Sequence, residues 1–425
     1  MLDGPAHPPA HHPARRIDAV VVPAARPATS LEPAVRTAID RGCPLVVFAS
    51  HRCHPADVGR VASELGLAQD RLIVIDMGPR AEPLLPTFSA DVFFRKNWVP
   101  DELSTAATGC QRSNAPRNTS VKRNVALEFA WLQHWSTVLF LDDDVTPPTR
   151  EQLDDCLAVF DADEVAISKG LARQPVVVAF RHREFPDNSI VRHAGRLAGL
   201  DQEVRTGAGA FLISLRLPPP HFPHIYNEDW LFFWDCASGG RGGVVDGGEL
   251  HQEAYDPFAD PHAAHWQEYG DVVAEGMREM GYAGQRSEEL FASGDWCIAV
   301  SRRRELIEAY RQRLLAVRDG TVGSEAERDR AAKALPCLDE ALSTLAGNED
   351  WAEEIPRYLT LWREDAQVWS THLDLLRDPA EQPPDVDTAL ARLGLARYPV
   401  AAETVSPPRL ELAEAAPVRD ARPLG

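Results

Sequence analysis

No stretch of this chain holds the roughly 18 consecutive apolar residues that a membrane-spanning helix needs. Its start, Met1-Leu-Asp-Gly-Pro-Ala-His-Pro-Pro, lacks the apolar core of a secretory leader. Basic residues are scarce: 44 Lys and Arg stand against 64 Asp and Glu, a formal net charge of −20. That balance argues against a general nucleic-acid or anionic-lipid binder, because both need a basic face. The seven cysteines are odd in number and scattered from Cys43 to Cys337, so neither a disulfide framework nor paired zinc knuckles is indicated. No Gly-x-Gly-x-x-Gly turn follows the first strands, which counts against a dinucleotide cofactor. The expectation is a soluble cytoplasmic protein with no membrane or nucleic-acid partner.

What is present reads as an α/β chain. Residues 1–14, rich in Pro, His and Ala, read as a disordered tail. Ile17–Val22, Leu45–Phe48 and Leu72–Ile75 are short apolar runs, separated by helical patterns. The first helix has a Thr29/Glu32 capping box, a face of Leu31, Val35 and Ile39, and a stop at Gly42. The second buries Val58, Val61, Ala62 and Leu65. Strand and helix alternating in this way predict a parallel, doubly wound beginning. Asp91–Asn118 reads as a long irregular connection, followed by a helix over Val121–His134. Thr149 and Gln152 cap a helix running to Phe160, and Val176–Phe180 and Ala210–Leu215 are strand candidates. Asn227 is a candidate N-cap for an apolar helix, while Gly239–Gly243 and Gly247-Gly248 mark turns. Leu306–Val317, Ala331–Leu345 and Ile355–Leu376 have the spacing of amphipathic helices. The predicted organisation is a sheet-bearing region in two halves, 15–145 and 146–300, an appended helical region at 301–378 and a Pro-rich tail at 379–425.

The chemistry concentrates where the apolar run Val138–Leu141 meets Asp142-Asp143-Asp144. In an open α/β sheet, a strand that ends in acids delivers charge to the crevice at its carboxyl edge. Three adjacent carboxylates repel one another and raise at least one pKa, so they call for a cation. Hard oxygen ligands suit Mg2+ or Mn2+, which bind phosphates through only one or two protein carboxylates. Arg112, Arg117, Lys122 and Arg123 lie just ahead of the acids, and such a patch beside a metal site suits a diphosphate. Glu228 and Asp229 fall in the first turn of the apolar helix, where complementing the helix dipole is the simplest role.

In order, Arg123-Asn124, Phe140-Leu141-Asp142-Asp143-Asp144, Gly207-Ala-Gly209-Ala and Asn227-Glu228-Asp229-Trp230 resemble the motifs of GT-A fold glycosyltransferases, family 2-like ones in particular. The resemblance covers about residues 16–290. It implies a GT-A type doubly wound sheet that binds a nucleotide-sugar, UDP-linked or GDP-linked. It further implies that Asp142 and Asp143 contact the donor, Asp144 and Asp142 hold the metal, and Asp229, with Glu228 beside it, is the base candidate. Arg26, Arg117, Arg123, Asn124 and Asp76 become donor contacts, and His251 a further metal-ligand candidate. The implied reaction is inverting transfer to a small soluble acceptor such as a cyclitol, aminocyclitol or sugar, by an enzyme that is a candidate homodimer. Trp230, Trp234 and Trp266 are candidates for stacking on sugar faces. Asp142-x-Asp144-x-Thr146 also fits the first motif of haloacid-dehalogenase-like phosphatases, and a non-catalytic sugar-binding protein is a third reading.

Overall fold

A computed structural model of the chain describes residues 16–78, 83–98, 115–168, 177–183, 185, 188–200, 206–238, 243–282, 293–320, 323–347, 350–378 and 380–400. These residues form an α/β fold with twelve α-helices and one mixed sheet of seven strands. β1 (Ala19–Val22), β2 (Leu45–Ala49), β3 (Leu72–Asp76) and β4 (Thr137–Leu141) are buried throughout, Asp76 excepted. Continuous apolar runs of this kind suit a parallel sheet covered on both faces. β1 pairs in parallel with β2 and with β4, and β2 with β3. β5 (Val177–Arg183), β6 (Thr206–Ser214) and β7 (Val244–His251) complete the order β3-β2-β1-β4-β6-β5-β7. The expected parallel beginning therefore spans β1 to β4, whereas β6 is antiparallel to both of its neighbours and β5 again pairs in parallel with β7. After β1 the chain moves outward to β2 and β3, then returns to the other side of β1. The turns after β1 and β4 therefore diverge, leaving a crevice at the carboxyl edge.

The two faces follow the two-residue alternation of a strand. Val20, Val22, Val47 and Leu139 face α1 (Glu32–Arg41), α2 (Pro55–Glu64) and Leu153 and Phe160 of the helix Arg150–Ser168. Val21, Phe48, Val138 and Phe140 face the other way, toward Val125 and Phe129 of the helix Ala115–Leu132. Thr149 and Gln152 form the expected reciprocal cap, at 2.9 and 3.2 Å. The expected Thr29/Glu32 box does not form. A 3-10 turn occupies Ala28–Leu31, and Glu32 instead pairs with Arg36 at 2.7 Å. Gly42 ends α1 with φ +63°, as expected, but Ile39 is 39% exposed. Steps of four residues drift by about 40° each around a helix, and Ala38 takes the buried position.

Two segments of this part of the chain differ from their sequence reading. The expected loop from Asp91 begins as α3 (Ser89–Asn97), whose first amides, Ser89 and Ala90, donate to the buried Asp365 carboxylate at 2.8 and 2.7 Å. That cap comes from a residue about 275 positions away, so no local pattern announces it. Following α4 (Ala115–Leu132) and α5 (Arg150–Ser168), α6 (Ile190–Leu197), α7 (Glu228–Ser238) and α8 (Ala263–Tyr282) complete the middle of the chain. β7 runs through Gly247-Gly248, where the sequence predicts a turn. A Cβ at Gly247 would come within 2.8 Å of the Phe180 ring, where the β5–β7 register shifts.

The C-terminal helices α9 (Ser293–Arg318), α10 (Glu325–Gly347) and α11 (Trp351–Leu376) form, but not as a separate layer. Ile307, Leu338 and Tyr358 share one core with Phe94, Trp98 and Val272, and α9 runs through the expected boundary at 300/301. Part of the expected tail is folded as well. α12 (Val386–Arg392) packs against α4 in the core on one face of the sheet, and Tyr398 donates its N–H to Val74 O at 2.7 Å along the β3 edge. Among the described residues no helix is long and apolar enough to cross a membrane.

Candidate functional site

The acidic turn itself bridges the crevice between β1 and β4. Asp142 donates its N–H to Gly209 O on β6 at 2.7 Å. Glycine is needed there, since a Cβ would lie 2.3 Å from His182 Cε1. Asp143 turns toward β1 and accepts from the Ala25 and Arg26 N–H groups, both at 2.7 Å. Lys122, on α4 and 1% exposed, donates to Ala24 O at 2.6 Å, and burial pushes its amine down to about 8. Arg26 then reaches over the turn, with Nη2 3.1 Å from Asp144 and Nη1 2.6 Å from Glu253. Gln252 also donates to Asp144, at 3.4 Å.

Arg123 joins this turn to α7. It is 4% exposed, and its Nη1 donates to Glu228 at 2.8 Å while Nη2 donates to Asp142 at 3.0 Å and to Ala208 O at 3.1 Å. Burial drives the Asp142 carboxyl up to about 7, with Asp144 and Asp143 adding to the rise and Arg123 opposing it. Burial also raises Asp144, against the pull of Arg26. Asp229 is raised by burial too, opposed by Arg123 and by the Ala208 and Trp230 N–H groups, which its two oxygens accept at 3.0 and 2.9 Å. Beside it opens a cavity of about 370 Å³ whose walls include Asp142, Arg123, Glu228, Asp229, Trp230 and Trp266.

The structure thus brings together Arg26, Arg123, Asp142, Asp143, Asp144, Glu228 and Asp229. Other sequence candidates stand elsewhere. Asn124, one residue round the helix from Arg123, is 2% exposed and spans the Phe222 backbone, donating to its O at 2.9 Å and accepting from its N–H at 2.7 Å. Asp76 is exposed at the end of β3, two strands from the crevice, and accepts from Gly78 N–H at 2.9 Å. The backbone of Arg117 lies in α4, but its side chain is outside the described residues. His251 is exposed at the end of β7, and the next residue, Gln252, is the one that reaches Asp144, as strand alternation requires. Trp234 packs against the helical core. Asn227 is not the expected cap: its φ is +62°, and its amide donates to Asp271 at 2.8 Å. Sequence reasoning missed Gln252 and Glu253 because it broke β7 at the glycines. An unbroken strand would have signalled an acid at the sheet edge.

Among the described residues, no three His, Cys, Asp or Glu side chains converge as a metal cage. The positive partners of the three acids are Arg123, Arg26 and two backbone N–H groups. Such a set would suit a hard cation held through one or two carboxylates, Asp144 and Asp142, and would not suit a cage built by protein alone. No protein-family model matches the chain, and no curated protein matches it.

Proposed function

We propose that this protein is a metal-dependent glycosyltransferase, which transfers a sugar from a nucleotide-sugar, UDP-linked by preference and GDP-linked as the alternative, to a hydroxyl of a small soluble acceptor such as a cyclitol, aminocyclitol or sugar. The observation that carries the reading is the Arg123 guanidinium, which ties the acidic turn at the strand-order switch to Glu228, next to Asp229, on the rim of one cavity. Assignment of the sheet to the GT-A type belongs to the same proposal. It is supported by the positions of the four motifs on α4, β4, β6 and α7 around one edge of the sheet.

In this reading the donor lies along the crevice and the acceptor enters the cavity. Arg123 and Asp142 orient the donor, and Trp230 and Trp266 exclude water from the acceptor. Asp229 takes the proton of the acceptor hydroxyl as that oxygen bonds to the anomeric carbon from the face opposite the diphosphate. The bond from the anomeric carbon to the phosphate oxygen breaks, the nucleoside diphosphate leaves, and the configuration inverts. A carboxyl lifted by burial is a better proton acceptor once ionised, and general-base help of this kind is worth roughly 10²–10⁴-fold. The chemistry that Mg2+ or Mn2+ supplies when bound at Asp144 and Asp142 is neutralisation of charge on the departing diphosphate.

The test is a panel of UDP- and GDP-sugars with Mn2+ and pooled polyol acceptors, followed by thermal shift and by release of nucleoside diphosphate. Binding stabilises only the folded state, so a raised Tm with one sugar nucleotide and its turnover support the proposal. Phosphate release from small phosphomonoesters, with no response to any sugar nucleotide, overturns it.

A further inference from the structure

One wall of the cavity, which includes Arg192, Asp271 and Glu275, belongs to a cluster of buried charges that the transfer chemistry does not use. Arg303 of α9, 4% exposed, donates to Glu268 at 2.6 and 3.0 Å, to Glu275 at 3.0 Å and to Asp271, all three acids lying on α8. Glu275 is also held by Arg192 of α6. Burying this many charges is seldom the most stabilising solution for a core, so a role in fixing geometry is the natural question. Asp271 answers it, because its two oxygens face different ways. Oδ2 takes Arg303, whereas Oδ1 accepts from the Asn227 amide at 2.8 Å.

Asn227 is the residue immediately before Glu228 and Asp229, and it is left-handed, with φ +62°. A side chain in that region costs energy unless surrounding contacts hold it. The packing next to Asp271 brings it within reach. At Gly270 a Cβ would stand 1.9 Å from the Tyr226 carbonyl oxygen, so α8 lies directly against the backbone that enters this turn. From Arg303 the chain of contacts runs through Asp271 and the Asn227 amide to the turn that aims Asp229.

We propose that Asp271, clamped by Arg303, is a positioning residue for Asp229 and acts through the amide of Asn227. In this way the C-terminal helices become part of the acceptor side of the site. The proposal rests on the reading of Asp229 as the base of a sugar transfer.

Asn227→Gly tests it without risking the fold, because glycine takes the left-handed conformation freely and removes only the amide. Asp271→Ala removes the acceptor and so breaks the relay from the other side, while Glu268 and Glu275 still hold Arg303. Misplacing a reacting group by about 1 Å can cost about 10²-fold, so kcat should fall roughly 10- to 100-fold in each variant, with donor KM and Tm near wild type. Residues in one relay are not additive. The double variant should therefore be no slower than the worse single one, whereas independent structural damage would multiply. Hydrogen exchange of the Ala208 and Trp230 amides, which Asp229 accepts, reads the same positioning without turnover. Both should exchange faster in each variant while the rest of α7 is unchanged. Wild-type exchange at these amides, or multiplied losses in the double variant, overturns the proposal. Faster exchange in the variants of a protein that transfers no sugar would overturn the transfer reading and leave the positioning intact.

Discussion

Nη2 of Arg123 lies 3.0 and 3.2 Å from the two carboxylate oxygens of Asp142, joining α4 to the end of β4 in a site where the arginine side chain is only 5% exposed. The same guanidinium holds Glu228, so one buried cation balances two carboxylates from separate elements. Replacing it by Ala strands both. The expected cost is about 3–5 kcal/mol, the usual loss when one partner of a buried pair is removed. Arg123→Lys keeps the charge without the planar fork, and should lower stability less while still weakening donor binding. Urea denaturation and donor titration check both statements, and unchanged donor affinity in the Lys variant would rule out its role at the donor.

Asn124 makes the opposite prediction. It spans the Phe222 N–H and C=O, and Asn124→Ala leaves two buried backbone groups unsatisfied at about 1–3 kcal/mol each. Tm should fall clearly, whereas donor affinity measured well below that temperature should hold. A selective loss of donor affinity would return Asn124 to the donor site.

Asp229→Asn separates a base from a helix-dipole partner. As a dipole partner alone, its loss costs about 0.3–1 kcal/mol and little turnover. As the base, it leaves donor binding in place while kcat drops by about 10²–10⁴-fold. Glu228→Gln is the companion variant, because Glu228 shares the helical turn and the Arg123 guanidinium. Near-normal turnover in Asp229→Asn would reject the assignment, as would an NMR product spectrum showing the donor's configuration retained.

On the proposed reading, Asp144 would carry a metal dependence. Its ion pair with Arg26 is mostly buried, at 19% and 25% exposed, but burial already disfavours its charged form and Arg26 keeps Glu253, so Asp144→Ala should cost little stability. Binding of a UDP-sugar in the presence of Mn2+ should be lost. Excess chelator should reproduce that loss in the wild type by calorimetry; full affinity under chelation would sink the metal requirement.

Stability should depend on pH through Glu268. Burial lifts its carboxyl from 4.5 to about 7, although Arg303 pulls it down. The folded state therefore holds this proton more tightly than the unfolded chain, so this contribution is complete below about pH 4.5 and is lost as pH rises through about 7. Glu268→Gln has no proton to lose there. The difference in unfolding free energy between about pH 4 and about pH 8 should shrink in that variant, and an unaltered slope would show that Glu268 does not titrate in this window.

Local pattern carried the α/β class, the first four strands, the Gly42 stop, the Thr149/Gln152 cap and the acidic turn after β4. Each is written within a few residues, as an apolar run, a helical period or a side chain that reaches its own backbone. The candidates on the acidic turn, together with Arg26, Arg123, Glu228 and Asp229, could be named singly for the same reason. Their meeting could not. It depends on the strand order that sets β1 beside β4 and on an antiparallel β6 whose Gly209 carbonyl receives Asp142, contacts between residues far apart in the chain. Packing also sent Asn124 to Phe222 and Gln252 to Asp144, and it capped α3 with Asp365. Periodicity says which face of an element is apolar, but a buried polar side chain bonds to whatever the fold brings within about 3 Å. Asp271 and Arg303 show the same limit: in sequence they are two charges among many, and only the approach of α8 to the Asn227 turn gives them a common task.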